Sequence, residues 1–267
     1  MKRGILFAVL ILGMLLVSGC VQQPEQQEKK ASLAACEKIG WPTVKVECQA
    51  LILKDEKKCD EILKMFPQGD RIYCYYYLAG IKKDTSICSG LEENARYGCI
   101  AIANSTPSLC KAAASPVGDT RCYYWLAAFT KNPTICEQLG GYFSDVCKAV
   151  IEKDPSYCEK IGDVTGEKCY YAIAMLKEDA ALCKKVKNEA ACINLVNKDA
   201  SKINCFLDIP DADICGLVPI LKKDASLCKR FDVMSEEICN FYVAMRITDA
   251  LPLEVVYLDV SYEYAVT

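Results

Sequence analysis

Nineteen cysteines in 267 residues are the side chains of this sequence whose number and spacing could sustain a chemistry of their own. Thiols can hold zinc, exchange electrons as dithiols or close disulfides, and spacing separates the three. Structural zinc sites usually bring two ligands within four residues, and thiol oxidoreductases use Cys-x-x-Cys. The chain contains no such pair. Histidine, the commonest metal ligand and general base at neutral pH, is absent. Glu92-Glu93 and Glu236-Glu237 read as helix-start or turn charges. There is no nucleophile elbow and no phosphate-cradling glycine loop. Asn104-Ser-Thr106 is a glycosylation sequon whose Asn104 serves equally as a helix end. The sequence therefore predicts a non-enzyme without cofactor or metal. A thiol-redox or metal-binding protein is the least favoured class, and disulfide bonding in an oxidising compartment is the chemistry left.

The cysteines return every 9 to 15 residues from Cys36 to Cys239, in two alternating settings. The first opens an apolar run, as in Cys74-Tyr-Tyr-Tyr-Leu-Ala and Cys122-Tyr-Tyr-Trp-Leu-Ala; it holds Cys48, Cys74, Cys99, Cys122, Cys147, Cys169, Cys192, Cys215 and Cys239. The second closes a cap-like phrase, as in Lys83-Asp-Thr-Ser-Ile-Cys88 and Lys153-Asp-Pro-Ser-Tyr-Cys158; it holds Cys36, Cys59, Cys88, Cys110, Cys136, Cys158, Cys183, Cys205 and Cys228. A period this regular marks a repeat array. Cys74, Tyr77, Leu78 and Ile81 fall at i, i+3, i+4 and i+7, one helical stripe, so each unit reads as two short helices and two turns. Asp, Asn or Thr caps the second helix, with Pro often at its first position, as in Thr106-Pro107 and Asp154-Pro155. The gap from first- to second-setting cysteine is 14 residues at Cys74, Cys122 and Cys169 but 11 at Cys48, Cys99 and Cys147. That difference is close to one turn, so longer and shorter helices should alternate until Cys192, where the pattern decays.

Geometry selects a pairing. A helix between Cys74 and Cys88 would hold their sulfurs roughly 12 Å apart or more, whereas bridged Cα atoms lie within about 7 Å. Joining each second-setting cysteine to the next first-setting one strands none: Cys36–Cys48, Cys59–Cys74, Cys88–Cys99, Cys110–Cys122, Cys136–Cys147, Cys158–Cys169, Cys183–Cys192, Cys205–Cys215 and Cys228–Cys239. Turn residues fall near the midpoint of most intervals, as at Phe66-Pro-Gln-Gly69, Ser115-Pro-Val-Gly118, Gly140-Gly141 and Gly162-Asp-Val-Thr-Gly166.

Export is written at the N-terminus. Lys2 and Arg3 precede an apolar run from Ile5 to Val17, then Ser18, Gly19 and Cys20, a secretory layout too short for a comfortable membrane span. Leu16-Val-Ser-Gly-Cys20 resembles the lipobox of prokaryotic lipoproteins. The resemblance implies a signal peptide over 1–19, lipidation of Cys20 and an extracytoplasmic protein anchored in the cell membrane. Removing Cys20 leaves an even number of cysteines for pairing. Residues 21–31, rich in Gln, Glu and Lys, read as the flexible part of an anchor and tether spanning 20–31, with a reach of roughly 20 Å. Without Lys2 and Arg3 the net charge falls from −3 to −5, which disfavours nucleic acid as partner.

The repeat body, residues 32–250, is expected to be all-α, a disulfide-stapled solenoid of helical hairpins. It resembles tetratricopeptide-like solenoids and their cysteine-rich secreted relatives in architecture alone, since the period is shorter and the consensus residues are missing. The resemblance implies a curved scaffold for a peptide or protein. Tyr76, Tyr124, Tyr171 and Phe241 each stand two residues after a first-setting cysteine and form an aromatic ladder. Such a ladder is either packing between repeats or a row of anchors for a protein, peptide or glycan. Residues 251–267 carry no cysteine, and the alternation of Val256, Leu258, Val260, Tyr262, Tyr264 and Val266 reads as a strand. The expected role is a binding or scaffold module; a structural or protective surface protein without a specific ligand is the alternative.

Overall fold

The computed structural model describes residues 23–65, 71–113, 118–202, 212–229 and 236–263, and these are helical with no strand among them. The α-helices in chain order are α1 (Gln23–Cys36), α2 (Pro42–Leu53), α3 (Glu56–Met65), α4 (Arg71–Lys82), α5 (Glu93–Asn104) and α6 (Gly118–Thr130). They continue as α7 (Tyr142–Glu152), α8 (Asp163–Lys177), α9 (Glu189–Val196), α10 (Ala212–Lys222), α11 (Glu236–Ile247) and α12 (Leu253–Glu263). The body is an all-α array of disulfide-stapled repeats.

The expected second helix of each unit is a 3-10 helix from Thr85 onward, as at Thr85–Gly90, Pro133–Gln138 and Pro155–Lys160. Only six residues separate its cap from the next turn, too few for an α-helical ladder. The 3-10 form gains rise per residue and closes its bonds within three.

A two-residue device stops the helices. Lys54, Lys83, Ser105, Lys131, Lys153, Glu178, Lys198 and Lys223 all sit in the left-handed region, with φ between 52° and 57°. The next residue's N–H reaches back five positions: Asp55 to Ala50 O (2.9 Å), Asn132 to Ala127 O (3.1 Å) and Asp154 to Ala149 O (3.1 Å). This is a Schellman-type stop. Lysine complements the negative end of the helix dipole but carries a Cβ that the left-handed region disfavours by roughly 1–2 kcal/mol. Lys131→Gly is accordingly expected to raise stability by up to about 1 kcal/mol, read as a higher denaturant midpoint with unchanged slope.

The residue after the stop caps the 3-10 helix. Asp84, Asp154 and Asp224 accept the backbone N–H of Ser86, Ser156 and Ser226, each at 2.9 Å. Bonds from these serines, through hydroxyl and backbone N–H, hold the three carboxyls below the usual carboxylate range. A lowered folded pKa contributes stability that is complete above the unfolded value of about 3.9 and fades as pH falls through the folded values. Acid titration followed by far-UV ellipticity should therefore leave the array intact to about pH 4 and loosen it below. A variant with Asn at all three positions keeps the caps without titrating, so its acid limb should be shallower; an unchanged limb would count against this linkage.

Eight of the nine expected disulfides join described residues, from Cys36–Cys48 to Cys228–Cys239, with Cα–Cα distances of 5.4 to 5.8 Å. The ninth pair involves Cys205, which lies outside the described residues, as do Cys20 and the whole expected leader. The extra turn of the alternate units falls after the cysteine. The left-handed stop comes six residues beyond Cys48, Cys99 and Cys147 but nine beyond Cys74, Cys122 and Cys169. Helices with the extra turn are buried on every side over Cys74–Ala79, Cys122–Ala128 and Cys169–Met175, whereas α2, α5 and α7 are only partly buried along one side. A helix apolar all round belongs in the interior, so α4, α6 and α8 form an inner layer and α2, α5 and α7 an outer one.

The array closes on itself. The last repeat helix, α11, packs on α1 and α2, and the buried Ser32 Oγ donates to Ala244 O at 3.0 Å across most of the chain.

Two expectations fail here. The stretch expected to be a flexible tether is helical from Gln23, and α1 runs through the expected boundary at 31/32. Its residues 25–31 are exposed, so composition correctly signals solvation. Gln, Glu and Lys are also good helix formers, and packing of the later half of α1 on α11 fixes the helix. The C-terminal stretch expected to be a strand is α12. Its period-two pattern is overridden by enclosure: Val255, Val256, Tyr257 and Leu258 are all buried, an environment that rewards apolar residues on every face.

Candidate functional site

The aromatic ladder is interior. Tyr76, Tyr124, Tyr171 and Phe241 expose 5%, 4%, 0% and 6% of their surface. Tyr124 donates its hydroxyl to Phe143 O at 3.2 Å and Tyr171 to Asn188 O at 3.3 Å, each tying an inner helix to the start of the next α-helix. Burial, with a smaller repulsion from Tyr73, pushes the Tyr76 phenol up to about 12, so it stays protonated. These three rungs are packed between helices.

Tyr76 also requires a glycine. A Cβ on Gly98 of α5 would meet the Tyr76 hydroxyl and lie 2.7 Å from its ζ carbon. Gly98→Ala is expected to destabilise by about 1–3 kcal/mol, the cost of overpacking, and Tyr76→Phe should recover part of that loss. Additive effects of the two substitutions in thermal melts would disprove the contact.

The fourth rung behaves differently. Phe241 lines a cavity of about 190 Å³ together with Trp41, Tyr73, Tyr77 and Tyr242. Glu47 and Arg121 complete its polar wall, with Glu47 Oε1 and Arg121 Nε both buried. The Arg121 guanidinium carbon stands 4.7 Å from the Tyr73 ring centroid, a cation–π distance. Trp41, half exposed at 50%, forms the lip at the N-cap of α2.

Each wall comes from a different repeat: Trp41 and Glu47 from α2 and its cap, Tyr73 and Tyr77 from α4, Arg121 from α6, Phe241 and Tyr242 from α11. The pocket exists because α11 closes onto α2. Two of its walls are backed by a further ring. Trp125 of α6 meets Tyr73 and Tyr76 edge-on at 5.5 and 5.7 Å and Tyr77 at 4.9 Å, and Tyr77 touches Phe241 at 6.4 Å. At about 30 Å³ per water, the space holds the equivalent of about six waters, enough for one small ring or side chain.

A second, wider hollow of about 810 Å³ lies where the C-terminal ends of α2, α4, α6 and α11 converge. Its rim mixes Lys54, Lys131, Lys153 and Arg246 with Glu25 and Asp249. Among the described residues no group of three or more His, Cys, Asp or Glu could hold a metal ion, and no helix is long and apolar enough to cross a membrane.

The chain matches no protein-family model, no curated protein and no solved structure. Of the residues lining this cavity, sequence reasoning singled out Phe241 through its cysteine spacing and did not single out Trp41, Glu47, Tyr73, Tyr77, Arg121 or Tyr242 as site residues. Tyr73 and Tyr77 flank the ladder in the sequence, but only chain closure brings them opposite Trp41 and Phe241.

Proposed function

We propose that this protein is an extracytoplasmic, lipid-anchored lipoprotein that acts as a non-catalytic binding module through its helical repeat body. Export is supported by the leader-like segment ending at Cys20 and by the disulfide framework, which persists in oxidising compartments. Binding rests on one observation, the aromatic pocket formed where the last repeat meets the first. Pre-formed, mostly apolar concavities with a few convergent polar groups are the usual form of a ligand site. This one is sized for a flat apolar or aromatic group presented by a protein or peptide partner, with Glu47 and Arg121 beside the group's polar end.

The sequence supplies a reporter, because it contains only two tryptophans. Trp41 forms the lip, and Trp125 packs behind the wall residues Tyr73 and Tyr77. Titration with N-acetyl-phenylalaninamide should change tryptophan emission saturably, and Thr43→Arg, which fills the mouth, should abolish the response. Methyl glucoside serves as the glycan comparison. No response to either probe would defeat the binding reading and favour a structural or protective surface protein, to which the burial of Tyr76, Tyr124 and Tyr171 already lends weight. Intact mass of the membrane-expressed chain tests the anchor: a lipid adduct on a mature N-terminus at Cys20 is expected, and an unmodified thiol there would remove it.

A further inference from the structure

The aromatic pocket and the wider hollow lie toward opposite ends of the same four helices. From their earlier turns α2, α4, α6 and α11 give the pocket Glu47, Tyr73, Arg121 and Phe241, and from their last turns they give the hollow Leu53, Ile81, Phe129 and Arg246. α1 runs from one end toward the other. Glu25 and Lys29 of its first turns line the hollow, and its last residue, Cys36, is bonded to Cys48, next in sequence to the pocket wall Glu47. The chain therefore enters the body at the hollow end. Cys20 stands three residues before Gln23, so it lies no more than about 11 Å from the start of α1. The helix stops gather at the same end. Lys54, Lys131 and Lys153 line the hollow, and two further stops stand at its edge. Lys83 Nζ is 5.5 Å from the Phe129 ring centroid, and Lys223 Nζ is 3.3 Å from Asp249 Oδ2. Asp249 and Glu254 are engaged by Arg246 at 2.8 Å and Lys153 at 3.6 Å, which leaves Glu25 and Glu28 as the other acids of the lining. The aspartates Asp84, Asp154 and Asp224 are bonded to the 3-10 helices they cap, and a lysine side chain reaches further from the backbone than an aspartate does. The charges that extend furthest from the stops are thus ammonium groups. Between them Leu53, Ile81, Phe129, Pro252 and Leu253 are half-buried, an apolar surface ringed by lysine.

We infer that the hollow end is the membrane-facing side of the protein. Its lysines and half-buried apolar residues rest on the anionic lipid headgroups of the bilayer that holds the N-terminus, and the aromatic pocket opens away from that bilayer. The inference rests on the proposed attachment of the chain to a membrane, and not on what the pocket takes up. A link of at most about 11 Å keeps the hollow beside the bilayer. A helix of the 12 residues of α2 is about 18 Å long, and it carries the pocket that much further out. Each lysine that settles near an anionic surface adds about a fivefold preference for it.

The test uses the membrane-expressed full chain, reconstituted into vesicles of phosphatidylglycerol with phosphatidylcholine and, separately, of phosphatidylcholine alone. Acylation by uncharged N-hydroxysuccinimidyl acetate, read by peptide mass, should be at least about fivefold slower at Lys54, Lys83 and Lys131 on the anionic vesicles. Lys45, in the first turn of α2 near the pocket, should react equally on both. Equal rates at all four lysines, or slowing at Lys45 as well, overturns the inference. Glutamate fits the left-handed stop, as it does at Glu178, so a chain with Lys54→Glu and Lys83→Glu should fold and should lose the slowing at Lys131. Slowing that persists there would reduce the effect to shielding by the link and would equally count against the lipid contact. A chain that alkaline carbonate strips from the vesicles refutes the attachment instead. Its lysines, acylated with the same vesicles added, still decide for or against a lipid-facing end.

Discussion

Complete reduction of the disulfides is expected to unfold the array, and to do so only after the structure has been opened by other means. The described half-cystines expose between 0% and 4% of their surface, so a reductant reaches them only when a repeat opens. Dithiothreitol alone should leave most of the protein oxidised for hours, and sub-denaturing guanidinium should accelerate reduction sharply. Closing a loop as short as the 11-residue separation of Cys136 and Cys147 contributes about 2–3 kcal/mol in the chain-entropy treatment. Whole domains are stable by only about 5–15 kcal/mol, so losing several such closures exceeds what packing leaves in hand. The paired substitution Cys136→Ser with Cys147→Ser should therefore cost about 2–3 kcal/mol and leave the protein folded, while full reduction should abolish its cooperative thermal transition. A fully reduced chain that keeps that transition would show that the apolar core suffices.

Trp125→Ala is expected to be the most damaging single substitution outside the cysteines. The side chain is 1% exposed and touches Tyr73, Tyr76 and Tyr77, so its removal empties the junction between α4 and α6. Truncating a buried Trp typically costs about 3–5 kcal/mol through lost transfer energy and residual cavity, and the edge-on ring contacts add to it. In a chain of this size the melting temperature should fall by about 10 °C, with loss of near-ultraviolet ellipticity. Trp125→Phe should retain most of both. Because Tyr73 and Tyr77 are also pocket walls, Trp125→Ala should weaken the Trp41 response to N-acetyl-phenylalaninamide beyond the loss in stability. Intact probe binding in the alanine variant would show that the walls hold their place without Trp125 behind them.

The two classes of polar contact in the array differ in weight. Ion pairs between successive units, such as Lys82–Glu56 and Lys198–Glu178, both at 2.7 Å, are solvent-accessible at one or both ends and belong to a class that contributes at most about 1 kcal/mol each. The capping bonds recur in most repeats and set where each helix stops, so they act on register more than on total stability. That is why the length of each inner helix can be read from the distance between a cysteine and the following Lys-Asp, Lys-Asn or Glu-Asp.

By itself the sequence determined everything that repeats locally. The disulfide partners at Cys88–Cys99 or Cys158–Cys169 follow from hairpin geometry over 11 residues, and the caps at Asp84, Asn132 and Asp154 from bonds made within two residues. The all-α architecture follows from those two constraints repeated along the chain. What only the tertiary structure decided depends on contacts between residues far apart in sequence. Ser32 meets Ala244, Tyr77 meets Phe241, and α12 sits enclosed against α6 and α7. Val256 and Leu258 look like strand positions because alternation signals a half-buried environment. They are helical because the closed array gives them apolar neighbours on all sides, and a helix satisfies its own backbone there without a partner edge. The aromatic pocket has the same origin: its walls come from α2, α4, α6 and α11, and no local pattern records that these helices meet.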